Sequence, residues 1–162
     1  MTTCSQSEIP SRAPSPHGSI AASQGMQKTP LVLVIEDDPG VMQVLLSILT
    51  LRNLRTLTAT SIPEALNQWE LHKHELNLVL SDRWLSEYEN TDTLLEWFNV
   101  SHPALPVVLV TGSRLNWDEE RSLKESRKLL NKPFAVADLL TLVDFWTSRH
   151  TRTGHARVED IF

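Results

Sequence analysis

The sequence predicts a doubly wound α/β domain: a five-stranded parallel sheet with helices on both faces. Two observations carry that prediction. Along residues 30–147, short apolar runs alternate with helix-length amphipathic segments in five successive β/α units. The first, third and fourth runs are continuously apolar, as strands covered on both faces must be. Right-handed crossovers between parallel strands then distribute the helices over both sides of the sheet.

The first unit opens with "LVLVI" (31–35). Asp38 follows as an N-cap with Pro39 at the first helical position. The helix body "VMQVLLSILTL" is apolar on more than one side, which predicts deep burial. The second run, "LRTLTA" (54–59), is more polar and suits a sheet edge. Ser61-Ile62-Pro63-Glu64 reads as a capping box, and the helix it starts carries Ala65, Leu66 and Trp69 on its inner face. The third run is "LNLVLS" (76–81); Asn90 or Thr91 begins the next helix, with Leu94, Leu95 and Phe98 inward. The fourth, "PVVLV" (106–110), precedes a helix signalled by Asn116 and Glu119, whose sequence "WDEERSLKES" is mostly polar. The fifth run, "RKLLN" (127–131), is too short for length to separate a strand from a buried helical piece. The last helix, "AVADLLTLVDFW", sets Val136, Leu139, Leu140 and Val143 at the i, i+3, i+4, i+7 spacing of one face.

Flanking this domain are two segments expected to be tails. Residues 1–29 are rich in Ser, Pro, Gln and Ala, too poor in large hydrophobes to offset their ordering entropy, and read as disordered. Residues 148–162 show no helical or strand periodicity until their end and read as a flexible, solvated tail. Hydrophobic content of 41% and charged content of 22% suit a globular core. A net charge of −5 argues against a general nucleic-acid binder and direct DNA binding. The lone cysteine, Cys4, permits no intrachain disulfide, which fits a reducing compartment. No segment resembles a signal peptide, and no apolar run reaches the ~18–20 residues of a membrane span. A soluble, cytoplasmic protein with no membrane association is expected.

In open α/β sheets, ligands bind outside the carboxyl ends of the strands. The first strand ends there in Glu36-Asp37-Asp38, the third in Asp82, the fourth in Thr111-Gly112-Ser113 and the fifth in Lys132-Pro133-Phe134. An aspartate at the end of a strand can be a simple turn former. Here it joins Glu36 and Asp37, and carboxylates so close do not all stay ionised without compensation. Lys132 offsets one charge; a divalent cation would offset the others, and a hard ion with oxygen ligands points to Mg2+.

These four motifs, "LVLVIEDDP", "LVLSD", "VVLVTGS" and "LLNKPF", resemble in order and spacing the receiver domain of two-component response regulators, over roughly residues 31–147. The resemblance implies the flavodoxin-like strand order 2-1-3-4-5. It also implies that Asp82 accepts a phosphoryl group from a phosphohistidine. Asp37 would bind Mg2+ directly, Glu36 mainly through water, and the backbone carbonyl of Trp84 would be a further ligand. Lys132 would pair with one phosphoryl oxygen and Thr111 would hydrogen-bond another. The bond between Lys132 and Pro133 would be cis, a state that X–Pro linkages alone reach cheaply, aiming the lysine into the site. The implied partners are a histidine kinase or histidine phosphotransfer protein and a downstream protein target. Such a module catalyses only its own phosphorylation and dephosphorylation, and residues 148–162 are too few for an output domain, so a stand-alone receiver is expected.

Other polar and aromatic residues have plainer readings. Asp38 is accounted for as a cap. His72 and His74 are two apart, a spacing that does not share a helical face, and read as solvated. Trp69 reads as core, Trp97 and Trp146 as partly exposed, and Trp117 as either packing or a partner contact. Two departures from the receiver pattern stand out. The loop after Asp82, "RWLSEYENTD", lacks the family's proline and has Thr91 in place of its glycine, although Glu89-Asn90 resembles the loop of receivers attached to hybrid sensor kinases. Trp84 is bulky enough to screen an acyl phosphate from water. Many receivers carry an aromatic where this chain has Leu129, which argues against an aromatic-rotamer switch. Two alternatives follow: a receiver-like interaction module that no longer cycles phosphate, or a metal-dependent aspartyl phosphohydrolase. The latter class generally wants a D-x-D arrangement after the first strand, which Glu36-Asp37-Asp38 does not supply. Nucleotide-cofactor binding is weaker still, since no glycine-rich loop follows that strand.

Overall fold

The structure is a computed structural model that describes Met1 and residues 29–86, 89–112, 115–125 and 128–150. The expectations for residues 2–28, for Ser113 and for 151–162 lie outside the described residues.

Five strands and five helices alternate: β1 (Leu31–Ile35), α1 (Pro39–Thr50), β2 (Arg55–Ala59), α2 (Ile62–His72), β3 (Leu76–Ser81), α3 (Asp92–Ser101), β4 (Val107–Thr111), α4 (Trp117–Glu125), β5 (Leu129–Asn131) and α5 (Val136–His150). All pairings are parallel and the order is β2-β1-β3-β4-β5. The polar run 54–59 is indeed an edge strand. The ambiguous fifth run is a strand too, held by the register Leu109↔Leu129, Val110↔Leu130, Thr111↔Asn131. α5 extends to His150, three residues past the 147 expected from sequence.

Side-chain alternation along the strands builds two cores. Leu31, Leu33, Ile35, Val79 and Val107 face one way, where Ala65 and Trp69 of α2 and Leu94 and Phe98 of α3 cover them. Val32, Val34, Leu78, Leu80, Val108, Val110 and Leu130 face the other, against Leu45, Ile48 and Leu49 of α1 and Leu139, Leu142 and Val143 of α5. Burying one such Leu or Phe side chain stabilises the fold by about 1.5–3 kcal/mol. Trp69 stacks edge-on against Phe98 at a centroid distance of 5.3 Å, with Trp97 5.9 Å away at the rim. α4, predominantly polar, rests against β5 without a fully buried side chain among those described.

The caps follow the local chemistry. Asp38 Oδ1 accepts from the amides of Gly40 and Val41 at 2.7 and 2.9 Å. Ser61 Oγ accepts from Glu64 N at 3.4 Å, while Glu64 Oε2 reaches Thr60 N at 2.7 Å, one residue beyond a standard capping box. α1 ends through Asn53 at φ 53°, a left-handed conformation that asparagine tolerates.

Two inward assignments are corrected. Leu66 is 39% exposed, because Ala65 and Trp69, four residues apart, define the face of α2 that meets the sheet. Val136 is 47% exposed: it is the first residue of α5, ahead of the turn at Leu139 that packs on the core.

Candidate functional site

Each strand delivers its last residue to one edge of the sheet. Glu36 follows β1 with its amide bound to Ala59 O at 3.0 Å, and Asp82 follows β3 with its amide bound to Ile35 O at 2.9 Å. Thr111 ends β4, is 1% exposed, and its carbonyl accepts the Lys132 amide at 2.8 Å. The sheet hydrogen bonding therefore runs directly into the site. Its backbone is fixed before any side chain interacts.

At the centre, Lys132 Nζ donates to Asp82 Oδ2 at 2.6 Å and to Glu36 Oε2 at 2.7 Å. The Lys132, Asp82 and Glu36 side chains are 20%, 14% and 2% exposed, so these are charge-assisted bonds shielded from solvent. The bond between Lys132 and Pro133 is cis, as expected. Burial pushes the Glu36 carboxyl above its ordinary range, and the Lys132 ammonium only partly offsets that cost. Burial acts to lower the Lys132 amine as well, but its bonds to Asp82 and Glu36 outweigh it and hold the group above its ordinary value of 10.5. The lysine is thus held in its charged form at neutral pH.

Asp37 is exposed beside this pair, and Asp38 serves its helix. Among the described residues no three His, Cys, Asp or Glu side chains gather closely enough to hold a metal ion. Glu36 and Asp82 share one cation, Lys132, and Asp37, next to Glu36 in the chain, is exposed. The donor set fits a small hard cation by its chemistry, since carboxylate oxygens concentrated around a single ammonium leave negative charge uncompensated.

The loop after Asp82 is closed by its own hydrogen bonds rather than by proline and glycine. Trp84 and Asn90 form an antiparallel bridge, and Leu85 N donates to Glu89 O at 2.8 Å. Asp82 Oδ1 accepts from Arg83 N at 2.5 Å and, more weakly, from Trp84 N at 3.3 Å. The Trp84 side chain is 42% exposed at the rim.

Two groups here escape sequence reasoning. Arg83 reaches Asp92 of α3 at 2.8 Å and Glu119 of α4 at 3.4 Å. Its hydrogen bond to Asp92 comes first among the causes that raise its already high pKa. Thr91, fully buried, donates from Oγ1 to the Asp82 carbonyl at 2.7 Å. Neither contact leaves a periodic signal, because each joins residues eight or more apart across a loop. The remaining candidates behave simply: Trp69 is core, Trp97 and Trp146 are partly exposed, His72 is half-buried and His74 exposed, and Trp117 is 71% exposed with Arg121 5.4 Å over its ring.

A parallel sheet of order 2-1-3-4-5 that gathers an acidic residue, an aspartate and a lysine at its carboxyl edge defines a receiver-type domain. Residues 32–144 match the response regulator receiver domain family, and the chain belongs to that family. Similar solved structures agree in fold. A response regulator receiver domain from Clostridium thermocellum is 23% identical with a TM-score of 0.61, covering 76% of this chain and 98% of that one. A CheY-like receiver domain protein from Methanospirillum hungatei is 23% identical with a TM-score of 0.64, covering 78% and 100%. The non-phosphorylated HemR receiver domain from Leptospira biflexa is 25% identical with a TM-score of 0.63, covering 74% and 95%. Comparison with curated proteins finds no match. No helix among the described residues is long and apolar enough to cross a membrane.

Proposed function

We propose that this receiver is a phosphoacceptor: Asp82 takes a phosphoryl group from a phosphohistidine of a histidine kinase or histidine phosphotransfer protein. The observation that supports it most is the pairing of Asp82 and Glu36 with one buried-side ammonium, Lys132, at 2.6 and 2.7 Å. A turn-forming aspartate needs no such partner.

In the reaction, a carboxylate oxygen of Asp82 attacks phosphorus in line. The new O–P bond forms as the N–P bond to the donor histidine breaks, and the electron pair returns to the imidazole. Lys132 is then placed to move from the carboxylate to a phosphoryl oxygen, holding charge where it accumulates. Thr111, at the end of the neighbouring strand, supplies a hydroxyl for another. Glu36, Asp37, Asp82 and the Trp84 carbonyl would hold Mg2+, which supplies further neutralisation of the phosphoryl oxygens. Pro133 keeps the lysine directed at the site. Water later cleaves the acyl phosphate and resets the signal, so the protein acts on itself and not as a conventional enzyme.

The donor would dock beside the acceptor. A groove of ≈ 380 Å³ lined by Val41, Val44, Lys132, Pro133 and Phe134 offers apolar surface there. The phosphorylated state would alter the face of α4, β5 and α5, and read out through a downstream protein rather than through DNA or a membrane. Leu129 makes the movement one of helix position rather than an aromatic flip. A cytoplasmic setting follows from such partners.

Intact-protein mass after incubation with acetyl phosphate tests the reading. One phosphoryl adduct that requires Mg2+ and is absent from Asp82→Asn is expected. No adduct on the folded native chain would refute it and point to a phosphate-independent interaction module.

A further inference from the structure

A Ser or Thr at a helix N-cap ordinarily turns its hydroxyl onto the first amides of its own helix. Thr91 stands at that position of α3 and makes no such bond. Asn90 takes over the task, its Oδ1 accepting from Asp92 N at 2.6 Å. The hydroxyl of Thr91, 0% exposed, points the other way. Its single proton goes to the Asp82 carbonyl at 2.7 Å, with the Arg83 carbonyl a more distant acceptor at 3.2 Å. The Thr91 amide donates to that same Arg83 carbonyl at 2.9 Å.

The Asp82 carbonyl is held from a second side by Ser81 Oγ at 2.8 Å, and its amide by Ile35 O at 2.9 Å. Main-chain freedom at the acceptor is thereby removed. What remains to the carboxylate is rotation about its own side-chain bonds. Two residues on, the position of the Trp84 carbonyl is set by the same clamp and by the bridge to Asn90.

We propose that Thr91 is a positioning residue for the phosphoacceptor loop: its buried hydroxyl clasps the peptide after Asp82 so that the Asp82 carboxylate and the Trp84 carbonyl are presented together to a divalent cation. This rests on the phosphoacceptor reading. The clasp supplies through one side chain a constraint that proline supplies through its fixed backbone angle.

The test compares Thr91→Val, which keeps the volume and loses the hydroxyl, with Thr91→Ser, which restores it. Magnesium chloride is titrated calorimetrically into the full chain, and amide exchange is followed at Leu85. Loss of an outer-shell partner weakens metal binding about 10–100-fold. Thr91→Val is expected to weaken Mg2+ by that factor and to speed exchange at Leu85, while Thr91→Ser stays close to the native chain. Should Thr91→Val not fold, Thr91→Ala carries the same expectation. Native affinity and exchange in a folded hydroxyl-free variant would overturn the proposal, as would Thr91→Ser behaving like Thr91→Val. If the native chain itself binds no Mg2+, the phosphoacceptor reading fails instead. Leu85 exchange then decides the clasp: unchanged exchange overturns it and faster exchange supports it.

Discussion

Replacing Lys132 by methionine keeps the aliphatic stem and removes the charge that Glu36 and Asp82 share. Both carboxylates lie in a poorly solvated position, at 2% and 14% side-chain exposure. Breaking a buried pair by deleting one partner costs about 3–5 kcal/mol, and the partial opening toward solvent at Asp82 favours about 3. A ceiling applies, because one carboxylate can take up a proton instead. With an ordinary carboxyl pKa and about 1.4 kcal/mol per unit, that escape costs roughly 4 kcal/mol near neutrality. As pH falls, that escape becomes cheaper than leaving the charge unpaired; the variant's folded state then holds a proton that its unfolded state does not, and its stability rises. For a domain of this length, 3 kcal/mol corresponds to a drop in Tm of about 12 °C. Thermal unfolding near neutral pH and at about pH 5.5, with and without Mg2+, reads all of this. Expected are the large loss near neutrality, substantial recovery in acid, and a larger gain from Mg2+ than in the native chain. A Tm within about 4 °C of native, or a loss identical at both pH values, would refute the electrostatic account. In the native chain the Lys132 amine is held above 10.5, so the lysine's share of the pairing is fully present below that value and is lost as pH climbs through the raised one.

Three further outcomes are expected. Glu36→Gln keeps an acceptor for Lys132 and deletes the charge whose burial raises its pKa; metal-free stability should increase while Mg2+ affinity falls, measured by denaturant unfolding and calorimetry. Trp84→Ala uncovers the site's rim and should shorten the lifetime of the phosphorylated form severalfold, read as loss of the mass adduct with time; an unchanged lifetime removes the shielding role. Arg83→Ala cuts the ties to Asp92 and Glu119. It should cost about 1 kcal/mol at low salt, less at high salt, and speed amide exchange in residues 117–125 more than elsewhere.

The fold was legible in the sequence wherever burial on both faces produced a continuous apolar run, as in β1, β3 and β4. β5 was ambiguous because its identity comes from pairing with β4, a long-range fact that three residues do not encode. Leu66 and Val136 were misplaced for a related reason. A helical period names a set of apolar positions, and only the neighbouring sheet decides which of them are covered. At the site, Glu36, Asp82 and Thr111 were visible because each stands at the end of a readable strand, and Lys132 because of the Lys-Pro-Phe motif that follows the short fifth run. Asp37 was visible too, and its side chain is exposed. Thr91 appeared only as a departure from a glycine. Its substitute role emerges from a hydroxyl direction that no residue spacing specifies. The Arg83 tie to α4 was hidden likewise, since its partners come from two other helices.

The shared ammonium joins residues 96 and 50 positions apart along the chain. The last of the groups, Lys132, arrives with β5, the final strand. A growing polypeptide therefore carries Glu36 and Asp82 before it carries the ammonium that joins them. Until β5 pairs with β4, Glu36 and Asp82 lack the cation they share. The shared ion pair is thus completed only with the last strand of the sheet, and an unfinished copy lacks it.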